Sequence, residues 1–370
     1  MPDGSSLSKY KAQVNISRPT SERMWLLCGL SFLAVVQSAI GDAGASVYVA
    51  LAALVAALLS ELFVTYREHG PKKIRDGSAA ASAMVLVLLL PNQIHPMYAA
   101  LGAIFAIVVV KHSFGGLGSN WMNPALGGWL FIRFSWPSTF ALVLDTADGY
   151  IGETGSVVDL TVRDFLNRTV FTVFGAELPT GYIDIFWLET SGIIADRAVL
   201  ALFLLVAIMF AFRTGRMWIS VVYLAVFTLL VRLVGDLPFE GYLMQGNVVL
   251  ALLSGGTLVT AFILIAEPSS GAKSIPGNVV MAVLAAVLSV TFRYFGGEFY
   301  GGFFAVALVN ALTPLLSRLE RRALYVPHNE AHFLIEAPSL GKTPLLEAPP
   351  SLDPFGEPSG RGPSREVWYE

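Results

Sequence analysis

Ten apolar runs divide the chain, each bounded by glycine, proline or charge: Met24 to Ile40, Ser46 to Tyr66, Gly77 to Leu90, Met97 to Val110, Pro124 to Leu144, Ile193 to Phe212, Met217 to Val234, Val248 to Ala266, Asn278 to Phe295 and Gly302 to Leu316. A run of about 20 apolar residues is the length of a helix that crosses a bilayer. The pattern therefore predicts an all-α polytopic membrane protein of about ten transmembrane helices. The third and fourth runs are short, as expected of half-helices that end at a central site.

Lysine and arginine set the orientation. Arg18 and Arg23 precede run one, Arg67, Lys72, Lys73 and Arg75 follow run two, Arg213 and Arg216 follow run six, and Arg318, Arg321 and Arg322 follow run ten. With ten spans these clusters fall on one side, which the positive-inside rule makes the cytoplasm. Both termini are then expected in the cytoplasm, and the polar segment from Asp145 to Glu189 outside. Five spans flank that segment on each side, and an odd number per half means that two similar halves would be inverted. Glycine and proline punctuation supplies an echo: Phe114-Gly115-Gly116 before Asn123-Pro124, and Phe295-Gly296-Gly297 before Asn310 and Pro314. A second echo pairs Arg75-Asp76-Gly77-Ser78, leading to Pro91, with Gln245-Gly246-Asn247, leading through Ser254-Gly255-Gly256-Thr257 to Glu267-Pro268. The expected layout is a cytoplasmic segment 1–23, a five-helix half 24–144, an outside segment 145–192, a second half 193–322 and a disordered cytoplasmic tail 323–370. From about Val326 that tail is rich in Pro, Gly, Glu and Ser, and repeats Glu336-Ala337-Pro338-Ser339-Leu340 as Glu347-Ala348-Pro349-Pro350-Ser351-Leu352.

Composition narrows the chemistry. The 370 residues are 55% hydrophobic and 14% charged, where soluble domains carry about 25% charged residues, and the mean hydropathy is +0.63. The net charge of -3 implies no nucleic-acid partner. Cys28 is the single cysteine, which excludes a disulfide within the chain and leaves too few thiolates for an iron–sulfur cluster or a cysteine zinc site. A redox cofactor held by this polypeptide alone would be organic. The histidines show no ligand spacing within a span; His328 and His332 lie in the tail, and no metal site or catalytic residue is assigned. Among charges within the runs, Glu61, Arg232 and Glu267 are expected to snorkel or cap. Arg133, well inside run five, would cost about 2.5–3.5 kcal/mol unpaired, unless the helix ends near Trp136-Pro137. Lys111 reads as an interfacial anchor or, with His112 at the border of a glycine-rich break, as a partner for a cofactor phosphate or an ion.

The segment Lys111-His112-Ser113-Phe114-Gly115-Gly116-Leu117-Gly118-Ser119-Asn120-Trp121-Met122-Asn123-Pro124 breaks the chain between two apolar runs with glycines and amides. Lipid cannot satisfy irregular backbone, so such a break lies against protein or a ligand, or else at the membrane surface. Gly115, Gly116, Gly118, Asn120 and Asn123 are its candidate site residues.

Several motifs in order carry a resemblance. They are the break itself, Lys72-Lys73-Ile74-Arg75-Asp76-Gly77-Ser78-Ala79 through Pro91, Leu188-Glu189-Thr190-Ser191-Gly192, Gly255-Gly256-Thr257 leading to Glu267-Pro268, and Arg293-Tyr294-Phe295-Gly296-Gly297 with Asn310-Ala311-Leu312-Thr313-Pro314. From about Ser17 to Leu316 the chain resembles the D-type subunit of the Rnf ion-translocating electron-transport complex, a family shared with the B-type subunit of the sodium-translocating NADH:quinone reductase. The resemblance implies a multi-pass subunit of the bacterial inner membrane that passes electrons through flavin and couples NAD/ferredoxin chemistry to sodium or proton transport. Its partners would be the other Rnf-type subunits (C, G, A, E and B) and the lipid bilayer. It also implies FMN joined by a phosphoester to the last threonine of a Ser/Thr-Gly-Ala-Thr motif outside. The local match is Thr154-Gly155-Ser156-Val157, where Val157 replaces the acceptor and has no oxygen. Thr154, Gly155 and Ser156 are the candidate cofactor-binding residues, and the attachment is expected to be lost or moved to Ser156 or Thr154. A noncovalent riboflavin or FMN between the halves is a further expectation. A urea-type channel or carrier is the competing class, since it too would show inverted halves with glycine-rich breaks.

Overall fold

The computed structural model describes residues 20–41, 44–68, 76–113, 120, 122–140, 157–169, 192–211, 217–235, 237–239, 242–244, 246–267 and 274–324. Among them are twelve α-helical segments and no strand beyond one bridge, between Pro91 and Ile193. They are α1 (Thr20–Gly41), α2 (Ala45–Glu68), α3 (Ser78–Leu88), α4 (Pro96–Phe105), α5 (Pro124–Ser135), α6 (Val157–Thr169), α7 (Val199–Ala211), α8 (Met217–Val234), α9 (Val248–Leu253), α10 (Thr257–Val259), α11 (Ile275–Val290) and α12 (Gly301–Leu324). Three of them widen into π-helix at their C-terminal ends: α4 over Ala106–His112, α10 over Thr260–Leu264 and α11 over Thr291–Phe295.

Glu22–Ile40, Ala45–Thr65 and Ile275–Phe295 are long and apolar enough to cross a membrane alone, while Ser78–Leu88, Pro96–His112, Trp218–Val234 and Gly301–Leu316 are shorter apolar helices. Their faces read as lipid-facing: α2 presents Leu51, Val55, Leu59 and Phe63 outward at helical spacing. The third and fourth runs are short helices, as their lengths predict, the fourth continuing through its π turn to His112. Run five stops as α-helix at Ser135, just ahead of Trp136-Pro137, short of the Leu144 to which its apolar run extends.

Local sequence explains where helices begin. Asn123 Oδ1 accepts from Ala125 N at 2.9 Å ahead of Pro124, and His95 Nδ1 accepts from Met97 N at 3.3 Å ahead of Pro96. A side-chain acceptor followed by proline at the first helical position satisfies the orphan N–H groups of a helix start. Ser274 Oγ accepts from Gly277 N in the same way for α11. α2 packs on α4, and α8 packs on α11. α4 and α5 approach so closely that a Cβ on Gly128 would sit 2.6 Å from Gly102 O. The end of α3 meets the segment before α7 where Ile194 N donates to Leu90 O at 2.9 Å and Ala195 N to Leu88 O at 3.0 Å. Trp129 of α5 lies edge-on to Phe303 and Phe304 of α12, with ring centroids 5.0 and 5.1 Å apart.

Candidate functional site

Two helix starts depend on a left-handed backbone that glycine serves. Gly77 (φ 72) precedes α3 and Gly256 (φ 66) precedes α10. Each start holds a hydroxyl, Ser78 or Thr257, and each hydroxyl meets a cation from the π turn of a later helix.

At the first junction Lys111, 2% exposed, donates from Nζ to Ser78 Oγ at 2.7 Å and to Glu61 Oε1 at 2.8 Å. His112 Nε2 lies 2.9 Å from Glu61 Oε2. Ser78 Oγ in turn donates to Asp76 Oδ1 at 2.8 Å, which also accepts from Ser78 N at 2.9 Å. A hydrogen-bonded chain therefore runs His112, Glu61, Lys111, Ser78, Asp76. This corrects the reading of Lys111 as an interfacial anchor and of Glu61 as a snorkelling residue. Both face inward between α2 and α4, where a buried charge persists only if it is paired and hydrogen-bonded.

The second junction interrupts run eight. Helix α9 ends at Leu253, Ser254-Gly255-Gly256 turn with φ of 65 and 66 at the glycines, and α10 begins. A Cβ on Gly255 would lie 2.8 Å from Phe299 O and 2.9 Å from Arg293 Nη1, so neither the backbone angle nor the space admits a side chain. Asp196, 4% exposed, accepts from Gly255 N at 3.0 Å and Gly256 N at 2.9 Å, one carboxylate oxygen to each. Arg293 takes the opposite polarity. Its Nη1 donates to Ala251 O, Ser254 O and Thr257 Oγ1 at 3.0, 3.1 and 3.2 Å, and its Nη2 to Ser254 Oγ at 2.6 Å. The anion sits on the N–H end of one half-helix and the cation on the C=O end of the other, as their dipoles demand. Burial, then the nearby Asp196 carboxylate, holds the Tyr300 phenol well above its usual pKa, so it remains protonated.

Arg133 sits in the last turn of α5 and pairs with Glu298 at 3.1 Å, which joins α5 to the glycine segment before α12. Pairing at a helix end removes the cost that an unpaired arginine deep in a span would carry. Of the residues predicted to line a site, Asn120 and Asn123 are buried at 4% and 6%, and Asn123 is engaged as the cap of α5. Gly115, Gly116, Gly118, Thr154, Gly155 and Ser156 lie outside the described residues, as does the tail; Val157 opens α6. Sequence reasoning missed Asp196, although an acid inside the sixth apolar run was the available signal. It quoted Arg293 only within a motif.

Broken helices whose ends are met by buried charges, in a bundle with an apolar exterior, define a membrane protein of the transporter class. Residues 8–325 match the NQR2, RnfD, RnfE family, and the chain belongs to it. It is 27% identical over 275 residues to the D-type subunit of the Na(+)-translocating ferredoxin:NAD(+) oxidoreductase complex of Acetobacterium woodii, covering 74% of this chain and 80% of that one. It is 26% identical over 307 residues to the D-type subunit of the proton-translocating ferredoxin:NAD(+) oxidoreductase complex of Clostridium ljungdahlii, covering 82% and 91%. To the D-type subunit of the ion-translocating oxidoreductase complex of Aeromonas salmonicida it is 30% identical over 307 residues, covering 74% and 85%.

Proposed function

We propose that this chain is the D-type membrane subunit of an ion-translocating ferredoxin:NAD oxidoreductase complex, assembled with the other subunits of that complex. The observation that carries the reading is the family match over residues 8–325, together with relatives of that name matched along most of their length. No observation favours the urea-type channel. We place the chain in the bacterial inner membrane with both termini in the cytoplasm, on the strength of the lysine and arginine clusters. Two inverted halves are supported by recurring parts: Gly77 with Gly256, Ser78 with Thr257, the π turns of Lys111 and Arg293, and the paired contacts α2–α4 and α8–α11.

Flavin is the cofactor of this reading, and bound flavin would supply electron transfer. A second frame, Ile151-Gly152-Glu153-Thr154, matches the implied motif Ser/Thr-Gly-Ala-Thr at its glycine and its final threonine. That frame keeps the glycine and puts a hydroxyl at the acceptor position, where the frame ending at Val157 has none. Thr154 is therefore the proposed FMN acceptor. It lies just upstream in sequence of the start of α6, and helix N-termini favour phosphate. A noncovalent flavin would be lined by Gly115, Gly116, Gly118, Asn120 and Asn123; the burial of both asparagines, where the glycine segment enters α5, fits an enclosed ligand. The test is peptide mass mapping of 151–163 from the purified complex. FMN phosphate on Thr154 is the expected adduct. An unmodified peptide, or an adduct on Ser156, rejects the frame.

A further inference from the structure

Four oxygens surround the guanidinium of Arg293 at the break in run eight, three on Nη1 and one on Nη2. Ala251 O and Ser254 O are carbonyls at the end of α9, and Ser254 Oγ and Thr257 Oγ1 add two hydroxyls; all four lie within 3.2 Å of a guanidinium nitrogen of Arg293. Asp196, nine-tenths or more buried, adds negative charge at the adjacent glycine amides. Unwound carbonyls at the C-terminal end of a half-helix are what coordinate sodium in broken-helix transporters. Hard oxygen donors without thiolate or imidazole select such ions over transition metals. Thr257 Oγ1 donates to Ala251 O at 2.8 Å and to Ser254 O at 3.0 Å, and Ser254 Oγ donates to Leu250 O, so both hydroxyl oxygens keep lone pairs for a cation, which the carbonyl end of α9 favours.

We propose that Ala251 O, Ser254 O, Ser254 Oγ and Thr257 Oγ1 form a binding site for a small monovalent cation, sodium or lithium, in which Arg293 is the resident tethered cation. A mobile ion enters by one-for-one exchange as the guanidinium withdraws, so the local charge stays constant. Two features suit Arg293 to this. It stands on a π turn, the kind of local widening that recurs at functional positions in helices. Its guanidinium also lies over Phe299, 4.8 Å from the ring centroid, which offers it a face beside the oxygens. The biological meaning of the site rests on the ion-translocating reading; the geometry does not, and neither depends on where flavin is attached.

The experiment uses the full chain, produced with its partner subunits and purified in detergent, and reads thermal midpoints in sodium chloride against choline chloride at equal ionic strength. Arg293→Ala opens the site, and sodium is expected to raise its midpoint by roughly 3 °C over choline, because a ligand that binds only the folded state stabilises it. The shift should vanish in Arg293→Ala/Thr257→Val. The wild type and Arg293→Lys, which keeps a tethered charge, should show none. Equal midpoints of Arg293→Ala in the two salts overturn the proposal. So does an Arg293→Ala that cannot be produced even in high sodium while Arg293→Lys is produced normally, because an ion in excess would have filled a true site. A sodium shift in a protein without FMN on Thr154 would leave this inference standing and remove only the flavin assignment; FMN on Thr154 without the shift would do the reverse.

Discussion

Replacing Lys111 with methionine keeps most of the side-chain volume and removes the ammonium that donates to Glu61 Oε1 and Ser78 Oγ at 2.8 and 2.7 Å. Glu61 is 3% exposed, so its carboxylate cannot recover those interactions from water. Removing one member of a buried ion pair costs about 3–5 kcal/mol, because the other charge is left uncompensated. The low end, about 3 kcal/mol, applies here, since His112 Nε2 lies 2.9 Å from Glu61 Oε2 and keeps the carboxylate a hydrogen-bond partner. Lys111→Met with Glu61→Gln removes both charges and leaves only hydrogen bonds to lose, about 1 kcal/mol. The double variant is thus about 2 kcal/mol less costly than the single one, the part of the loss that comes from stranding a charge. For a chain of this size 1 kcal/mol moves a midpoint by about 2 °C. The single variant should lose about 6 °C and the double about 2 °C, read by fluorescence-detected size exclusion after heating the detergent-solubilised complex. A single variant no less stable than the double would refute the buried-pair account of this junction.

Gly116→Leu should abolish electron transfer by the complex while the assembled complex survives on a native gel, because the glycine segment is proposed to approach flavin; full activity would reduce that segment to a surface loop. Cysteine at Ser156 in a Cys28→Ser background should react with an impermeant thiol reagent in intact cells. Labelling only after lysis would invert the proposed orientation.

Much of the helical architecture is legible because burial in lipid writes it as apolar runs with charged ends. The caps are legible too: Asn123-Pro124 and His95-Pro96 each announce a helix start. The broken run eight is less so. Val248 to Ala266 reads as one apolar stretch, and the left-handed glycines that interrupt it show only as the short string Ser254-Gly255-Gly256. Pairings are the hardest to read. Glu61 with Lys111, Arg133 with Glu298 and Asp196 with the glycine amides join residues far apart in sequence. Read alone, Glu61 suggests a snorkelling or capping charge, Lys111 an interfacial anchor and Arg133 a costly charge within a span, while Asp196 draws no reading. Only the packing of elements far apart in sequence, such as the crossing of α2 with α4, brings each pair together.

The identity of each buried cation follows from what it must reach. At the first junction the targets are one carboxylate oxygen and one hydroxyl, and a compact ammonium on a flexible stem serves both. At the second they are two carbonyls and two hydroxyls spread over the break, and only a planar fork of five N–H donors spans them at once. Arg293→Lys therefore preserves the charge and sacrifices contacts, whereas Lys111→Arg would force a larger head into a site where the present side chain is 2% exposed. The two junctions recur in outline and differ in filling. One is closed by an acid–base pair of opposite charges, the other by a cation set against backbone dipoles with an acid on the far side. A dipole binds a charge less firmly than a carboxylate does, and a buried carboxylate stripped of its partner carries the larger penalty. If one junction exchanges its cation during a transport cycle, the charge balance favours the second, because Arg293 can leave carbonyls and hydroxyls to a sodium ion, while Lys111 would have to abandon Glu61.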